Sequence, residues 1–379
     1  MRIRLALAAM AALAAAGCSG DAGTLAPDTA SLAKGKSSPG AVYVTSNSPA
    51  GNAVLAFDRS ADGTLSPAGS FPTGGTGTGA GLGSQGALVL SDNGQWLLAV
   101  NAGSDQVSVF RVRPDGLELT DTEASGGDMP ISVTVQGRLV YVLNAGGAGN
   151  ISGLTLSPHG ELAPLPGSTR PLSAAGVGPA QVEFSPDGDV LVVTEKMTDR
   201  IVTYAVGGDG LAGPPIPHAS AGTTPFGFAF SGRDRLIVSE AFGGAPDASA
   251  TSSYILGGGG SPTTVSPSVP TTETAACWVA VSRDGRFAYV TNTGSGSVSG
   301  YAVARDGTLT LLDADGVTAM TGPGSMPIDE DFSRDGRFLY VLGAGSHAVH
   351  AFAFAADGSL APVDRDPGLP AGSVGLAAR

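Results

Sequence analysis

Cysteine, histidine, aromatic residues and charge are all scarce in this chain of 379 residues. The two cysteines, Cys18 and Cys277, cannot build a disulfide framework. An exported protein of this kind must be held by a large core instead. Four histidines, widely scattered, offer no obvious zinc cluster. No apolar run reaches the roughly 20 residues of a membrane-spanning helix. Charged residues make up only 14% of the chain, with a net charge of −13. That balance excludes a broad electrostatic footprint for nucleic acid. It also works against polyanionic substrates.

Glycine and proline, in contrast, are abundant, at 58 and 26 residues. Disordered chains share that bias but are poor in apolar residues. Here 42% of residues are hydrophobic, enough for a sizeable core. Both residue types disfavour helix interiors. The composition points to many short strands joined by tight turns.

The N-terminus carries Arg2 and Arg4, then an apolar run from Leu5 to Ala16, then Ala15-Ala16-Gly17-Cys18. The run is too short to span a bilayer. Small residues before a cysteine resemble a bacterial lipoprotein signal, which implies cleavage before Cys18 and lipid on its thiol. An ordinary secretory signal is the alternative. Residues 1–17 are read as the signal and residues 18–40, rich in Ser, Gly, Ala and Pro, as a flexible tether. The expected location is the bacterial cell envelope, with the membrane reached through the N-terminal lipid.

Residues 41–379 repeat. Each copy has an apolar run, an Asp-Gly turn, a Tyr-Val strand, a small loop and an alternating strand. Two clear copies run from Val281 to Asn292 and from Phe332 to Val341. The Tyr-Val position recurs at Tyr43, Leu98, Tyr141, Val192, Ile237, Tyr289 and Tyr340, at spacings of 43 to 55 residues. That period suits a four-stranded propeller blade. A second Asp-Gly turn follows at Asp62, Asp115, Asp209, Asp306 and Asp357. Glycine there takes positive φ without a Cβ penalty. The first repeat lacks an innermost strand, and Ser373–Ala378 lacks a partner after it. The expected fold is therefore an all-β, seven-bladed β-propeller, closed by the C-terminal strand joining the N-terminal blade. A closed ring of this kind is expected to be a monomer. Gly243–Ala276 should hold the third and fourth strands of blade five with an extended loop.

In such a ring the residues ending the second strands, with those opening the innermost strands, should gather around the channel mouth. The first series includes Asn101, Asn144, Glu195, Glu240 and Asn292; the second includes Gln85, Gln181 and Cys277. Glu195 and Glu240 read either as loop caps or as a general base beside a second carboxylate. With the asparagines they also form a hard-cation set that would suit Ca2+; no other cofactor is expected. Arg200 reads either as a clamp for a substrate carboxylate or phosphate, or as half of a structural pair with Asp199. Cys277 has no base beside it and reads as an inert thiol. The run from Gly74 to Gly83 lacks the Lys-Ser/Thr of a phosphate loop and reads as a connection into blade two.

The repeats, with Asn101-Ala102-Gly103-Ser104-Asp105 and Thr198-Asp199-Arg200-Ile201, resemble the seven-bladed propeller lactonase family, which includes propeller-type 6-phosphogluconolactonases and carboxymuconate-lactonizing enzymes. The resemblance implies a catalytic role for Arg200, with Glu195 and Glu240 at acidic or polar positions of the same blades. It implies small-lactone hydrolysis at the channel mouth, where the ring position of Asn101, Asn144, Gln181, Asn292 and Gln85 would let them contact substrate. The chain departs from the family at two places: Gln181 stands where a histidine is usual, and Thr224-Pro225-Phe226-Gly227 replaces Gly-Pro-Arg-His. The competing expectation is a non-catalytic tethered propeller that binds a ligand, glycan or protein.

Overall fold

The computed structural model describes residues 40–379. The signal, Cys18 and all but the last residue of the expected tether lie outside the described residues. Seven antiparallel sheets stand around one axis, each with strands A to D counted outward. The A strands are Leu88–Leu90, Pro130–Gln136, Pro179–Phe184, Pro225–Ser231, Ala276–Val281, Pro327–Phe332 and Val374–Ala378, for blades two to seven and then one. Blade one is completed by Gly40–Thr45, Ala53–Arg59 and Leu65–Pro72, so the last strand of the chain closes the first sheet. The expected fold and its closure are both present. Blade five holds Ala250–Leu256 and Pro262–Pro270 as strands C and D. Its four-glycine run is the turn between them, in the place other blades give to Asp-Gly.

Burial falls off radially. Strand B is covered by neighbouring blades on both faces, so Val190–Glu195 and Phe287–Asn292 are buried throughout. Strand D faces solvent, as in Leu65–Pro72, where only Leu65 is buried. Apolar runs in B and polar residues in D therefore reflect position in the ring rather than simple alternation.

Both sequence signatures have physical jobs. In the A–B turn the serine hydroxyl donates to the aspartate: Ser185 to Asp187 at 2.6 Å, Ser282 to Asp284 at 2.7 Å and Ser333 to Asp335 at 2.6 Å. The glycine that follows takes φ of 82° at Gly188 and 68° at Gly285 and Gly336. In three blades the strand-B tyrosine reaches outward to the second Asp-Gly turn of the next blade. Tyr141 donates to the Gly210 carbonyl at 2.9 Å, Tyr289 to Gly358 at 2.6 Å and Tyr340 to Gly63 at 2.9 Å. At two blades without that tyrosine, other hydroxyls make the same reach: Thr120 to Gly160 at 2.8 Å and Ser253 to Gly307 at 2.6 Å.

Tyr340 makes this bond across the closing seam between blades seven and one. The seam also holds a pair between buried Arg59 and Asp335 at 3.1 Å. Removing the Tyr340 hydroxyl strands a buried carbonyl, at a cost of about 1–2 kcal/mol. Tyr340→Phe is therefore expected to lower the urea unfolding midpoint with the m-value unchanged, whereas Gly208→Ala, at a glycine with open space around it, is expected to leave the midpoint where it is.

Candidate functional site

The B–C and D–A loops form one face of the ring, here the upper face; the A–B and C–D turns form the lower. The upper end of the axis is not an open mouth. The chain leading into blade two leaves its own sheet and crosses the ring. Gln85 N–H donates to Ala180 of blade four at 3.0 Å, and the Gln85 side chain bonds Val279 of blade six in both directions, at 2.8 and 3.0 Å. Trp278 Nε1 donates to the Ser84 carbonyl at 2.9 Å, and Lys196 Nζ to the Gly83 carbonyl at 2.5 Å. This crossing explains why strand A of blade two is only three residues long. A side chain at Gly227 would collide with Gln85 Oε1 at 2.2 Å, so glycine is required there for the crossing to pass. The expected connection thus doubles as a plug.

The strand-B polar series sits elsewhere than expected. Asn101, Asn144, Glu195, Glu240 and Asn292 are all 0% exposed and hold loops rather than line a mouth. Asn101 accepts from Asn52 at 3.0 Å and Thr73 at 2.7 Å, and donates to Ser108 at 2.7 Å. Asn144 donates to Asn150 and Ser152, and Asn292 to Ser297 and Ser299. Glu195 accepts from the Ser173 amide at 2.9 Å, from the Ser173 hydroxyl, and from Thr198 at 3.0 Å. Glu240 accepts from the Gly222 amide at 2.7 Å and from Ser252 and Ser268. Burial raises the Glu240 pKa against those three bonds. Of the two readings open in sequence, the geometry is that of loop caps. The five side chains of the expected hard-cation set are engaged in the bonds just described; among the described residues no group of three acidic, His or Cys side chains could hold a metal ion.

Arg200 opens strand C of blade four on the upper face and is exposed. It takes part in none of the ion pairs among the described residues. Asp199 does not pair with it; its carboxylate accepts the Thr224 amide at 2.7 Å. Cys277 is buried, and burial pushes its thiol up to about 12, as suits an inert group. Lys196, beside Glu195, had no place in the sequence reading. Its ammonium lies 4.6 Å from the Phe226 ring centre, and burial lowers its pKa.

Below the plug, the inner edges of all seven A strands enclose a chamber of about 520 Å³. Gln85 and Gln181 stand at its closed end, and Asp92, Gln136 and Pro186 mark the lower outlet. Gln181 bonds the backbone of Phe228 in both directions, at 2.9 and 2.8 Å, and its amide also donates to Glu183 at 2.8 Å. Glu183 faces the chamber from the same strand. Burial pushes its carboxyl up to about 8, against the Gln181 hydrogen bond. Across the chamber, burial lifts Asp331 to about 6. Asp329 and Glu330 lie well above the usual carboxylate range for the same reason. Among the described residues no Lys, Arg or His lines the chamber.

Sequence reasoning reached Gln85 and Gln181 but missed the carboxyls beneath them. Two signals were present. Glu183 follows Gln181 by two residues, so both point to one face of a strand. Asp329-Glu330-Asp331 places three acids in a row within an innermost strand, where such residues are rare unless the strand borders water.

These carboxyls link stability to pH. Their folded pKa values exceed the unfolded values near 4, so the folded state binds the extra protons. Their stabilising contribution is complete below about pH 4 and fades as pH rises through about 6 for Asp331 and about 8 for Glu183. The urea midpoint should therefore fall between pH 5 and pH 9, and Glu183→Gln should flatten the upper part of that fall.

The family profile described as Lactonase, 7-bladed beta-propeller matches residues 41–166 and 261–374, more than half the chain. The unmatched stretch contains Gln181, Glu183, Glu195, Arg200 and Glu240. Among solved structures, a protein assigned as a 6-phosphogluconolactonase from Bacteroides uniformis is 20% identical, with a TM-score of 0.69, covering 90% of this chain and 99% of that one. The periplasmic gluconolactonase of Pseudomonas aeruginosa is 19% identical, with a TM-score of 0.69, covering 89% and 98%. A streptogramin B lyase is more distant, at 14% identity and a TM-score of 0.53, covering 76% and 84%. No curated protein sequence matches the chain. The structural likenesses carry the fold alone, and it is the profile match across both halves of the ring that places this chain in the seven-bladed β-propeller lactonase family.

Proposed function

We propose that the protein hydrolyses a small lactone in the axial chamber. The observation that carries this reading is the Glu183 carboxyl, bonded to Gln181 in a chamber of about 520 Å³ and raised to a pKa of about 8. A base is most effective when its pKa lies near the working pH. Ionised Glu183 takes a proton from water as the water oxygen bonds to the lactone carbonyl carbon. The tetrahedral intermediate then expels the ring oxygen, which leaves as a hydroxyl carrying that proton. Gln181 acts as a positioning residue, fixing the carboxyl through its amide.

Family membership supports the reaction class. The gluconolactonase and 6-phosphogluconolactonase names of the structural neighbours support a sugar-derived ring. The neighbour described as periplasmic agrees with export, and we further propose anchoring at the cell envelope through lipid on Cys18. The alternative, a non-catalytic binding propeller, draws on the loop-bound state of Glu195 and Glu240 and on the two departures from the family pattern.

The test is turnover of glucono-δ-lactone and of simple γ- and δ-lactones by the mature protein, corrected for spontaneous hydrolysis. Activity should rise with pH up to about 8, as Glu183 ionises. Glu183→Gln should lower kcat by about 10²–10⁴-fold. Arg200→Ala is the discriminating variant. If it abolishes turnover while Glu183→Gln does not, the site lies at the upper rim instead. Absence of turnover on every lactone, with stabilisation by a glycan, would favour the binding alternative.

A further inference from the structure

The lining of the chamber is one-signed. Glu183 stands on blade four, and Asp329, Glu330 and Asp331 on blade seven; Asp92 is at the outlet. The charges of Asp92 and Asp331 both disfavour ionisation of Glu183. The cation acting on Asp331 is Arg283, which sits exposed on a lower turn and outside the lining. An anion inside would meet no cationic partner. It would also raise the cost of ionising the base on which turnover depends, since like charges in a poorly hydrated space repel strongly.

Resting on the lactonase reading above, we propose that this acidic lining makes the protein selective for uncharged lactones and drives out its own product. Hydrolysis forms a bond from the water oxygen to the acyl carbon and breaks the bond from that carbon to the ring oxygen. The ring oxygen gains one proton and the new carboxylic acid releases another. A neutral substrate thus becomes a hydroxy carboxylate inside an acidic chamber. At pH near 8 the repulsion comes from Asp331 and the ionised fraction of Glu183, with less from Asp329 and Glu330, which burial holds back from ionising; it favours release of that anion through the lower outlet and weakens product inhibition. The same field rejects a lactone that already bears a phosphate. In this respect the chamber differs from what a phosphorylated sugar lactone requires, which is a guanidinium or ammonium group placed at the phosphate.

Gln136 lies at the outlet, its side chain bonded to the Pro186 carbonyl at 3.3 Å, and offers a place to reverse the field. Kinetics with glucono-δ-lactone and its 6-phosphate should be compared in wild type and Gln136→Lys. In wild type, kcat/KM for the neutral lactone should exceed that for the phosphate by about tenfold, a difference of about 1.4 kcal/mol. Gln136→Lys should narrow this ratio severalfold and strengthen inhibition by gluconate. A wild-type preference for the phosphate, or a ratio unmoved by Gln136→Lys with that variant folded by circular dichroism, would overturn the proposal. Failure to hydrolyse any lactone overturns the functional reading instead. Charge selectivity then stands or falls on thermal shift: stronger stabilisation by 6-phosphogluconate than by uncharged glucitol refutes it, and the reverse order supports it.

Discussion

The ring depends on one kind of contact repeated around it: a hydroxyl from one blade donating to the turn carbonyl of the next. A propeller blade cannot bury both faces of its sheet by itself, so each blade is stable only against its neighbours. Apolar packing supplies most of that stabilisation but is not directional. The hydrogen bonds from Tyr141, Tyr289 and Tyr340 to the carbonyls of Gly210, Gly358 and Gly63 fix the register of three of the seven interfaces at their lower edge. The last of them spans 277 residues of sequence. Together with the pairing of Val374–Ala378 on Gly40–Thr45 it closes an open stack of sheets into a ring and leaves neither chain end as a loose strand.

This contact also explains why the fold could be read from the sequence. Tyr-Val and Asp-Gly are two halves of the same interface, so both recur with the blade period. Where the tyrosine is missing, the turn remains and another hydroxyl serves, as Ser253 does for Gly307. A reader of the sequence sees the period weaken there but not vanish. Closure was legible for a related reason: a repeat that starts with strand B and ends with strand A leaves two unpaired strands, and hydrogen-bond satisfaction demands that they meet.

The site was less legible. Asn101, Glu195, Glu240 and Asn292 recur at a fixed phase, and recurrence in a ring invites the thought of convergence on its axis. In fact the fixed phase marks a repeated structural need. In these blades a buried amide or carboxylate ends strand B; at Asn101, Glu240 and Asn292 it bonds a serine of strand C, and at Glu195 and Glu240 it holds the amide of a D–A loop. Periodicity therefore argued against function at these positions. The features that break the period were the informative ones. Gln85 departs from its strand to cross the axis, and Asp329-Glu330-Asp331 appears in one A strand of the seven. The sequence shows such breaks, but their meaning requires knowing which residues face one another across the ring.

That asymmetry follows from where a propeller can tolerate ionisable groups. Strand B is enclosed between blades, so a carboxyl there must be well bonded, as Glu195 and Glu240 are by three donors each, and at 0% exposure it is out of reach of a substrate. Strand D is open to solvent, and groups there behave as ordinary surface residues. Strands A and D each have one edge without a partner strand, and only that of strand A faces the axis. Its inner edge borders water confined by a low-dielectric wall, enough to keep Glu183 accessible yet too little to hydrate its charge fully. A carboxyl that is reachable, hydrogen-bonded through Gln181 and reluctant to ionise can arise in this architecture only there. The chemistry is thus placed by the same radial gradient of burial that makes the core, and the plug at Gln85 decides which end of the axis it faces.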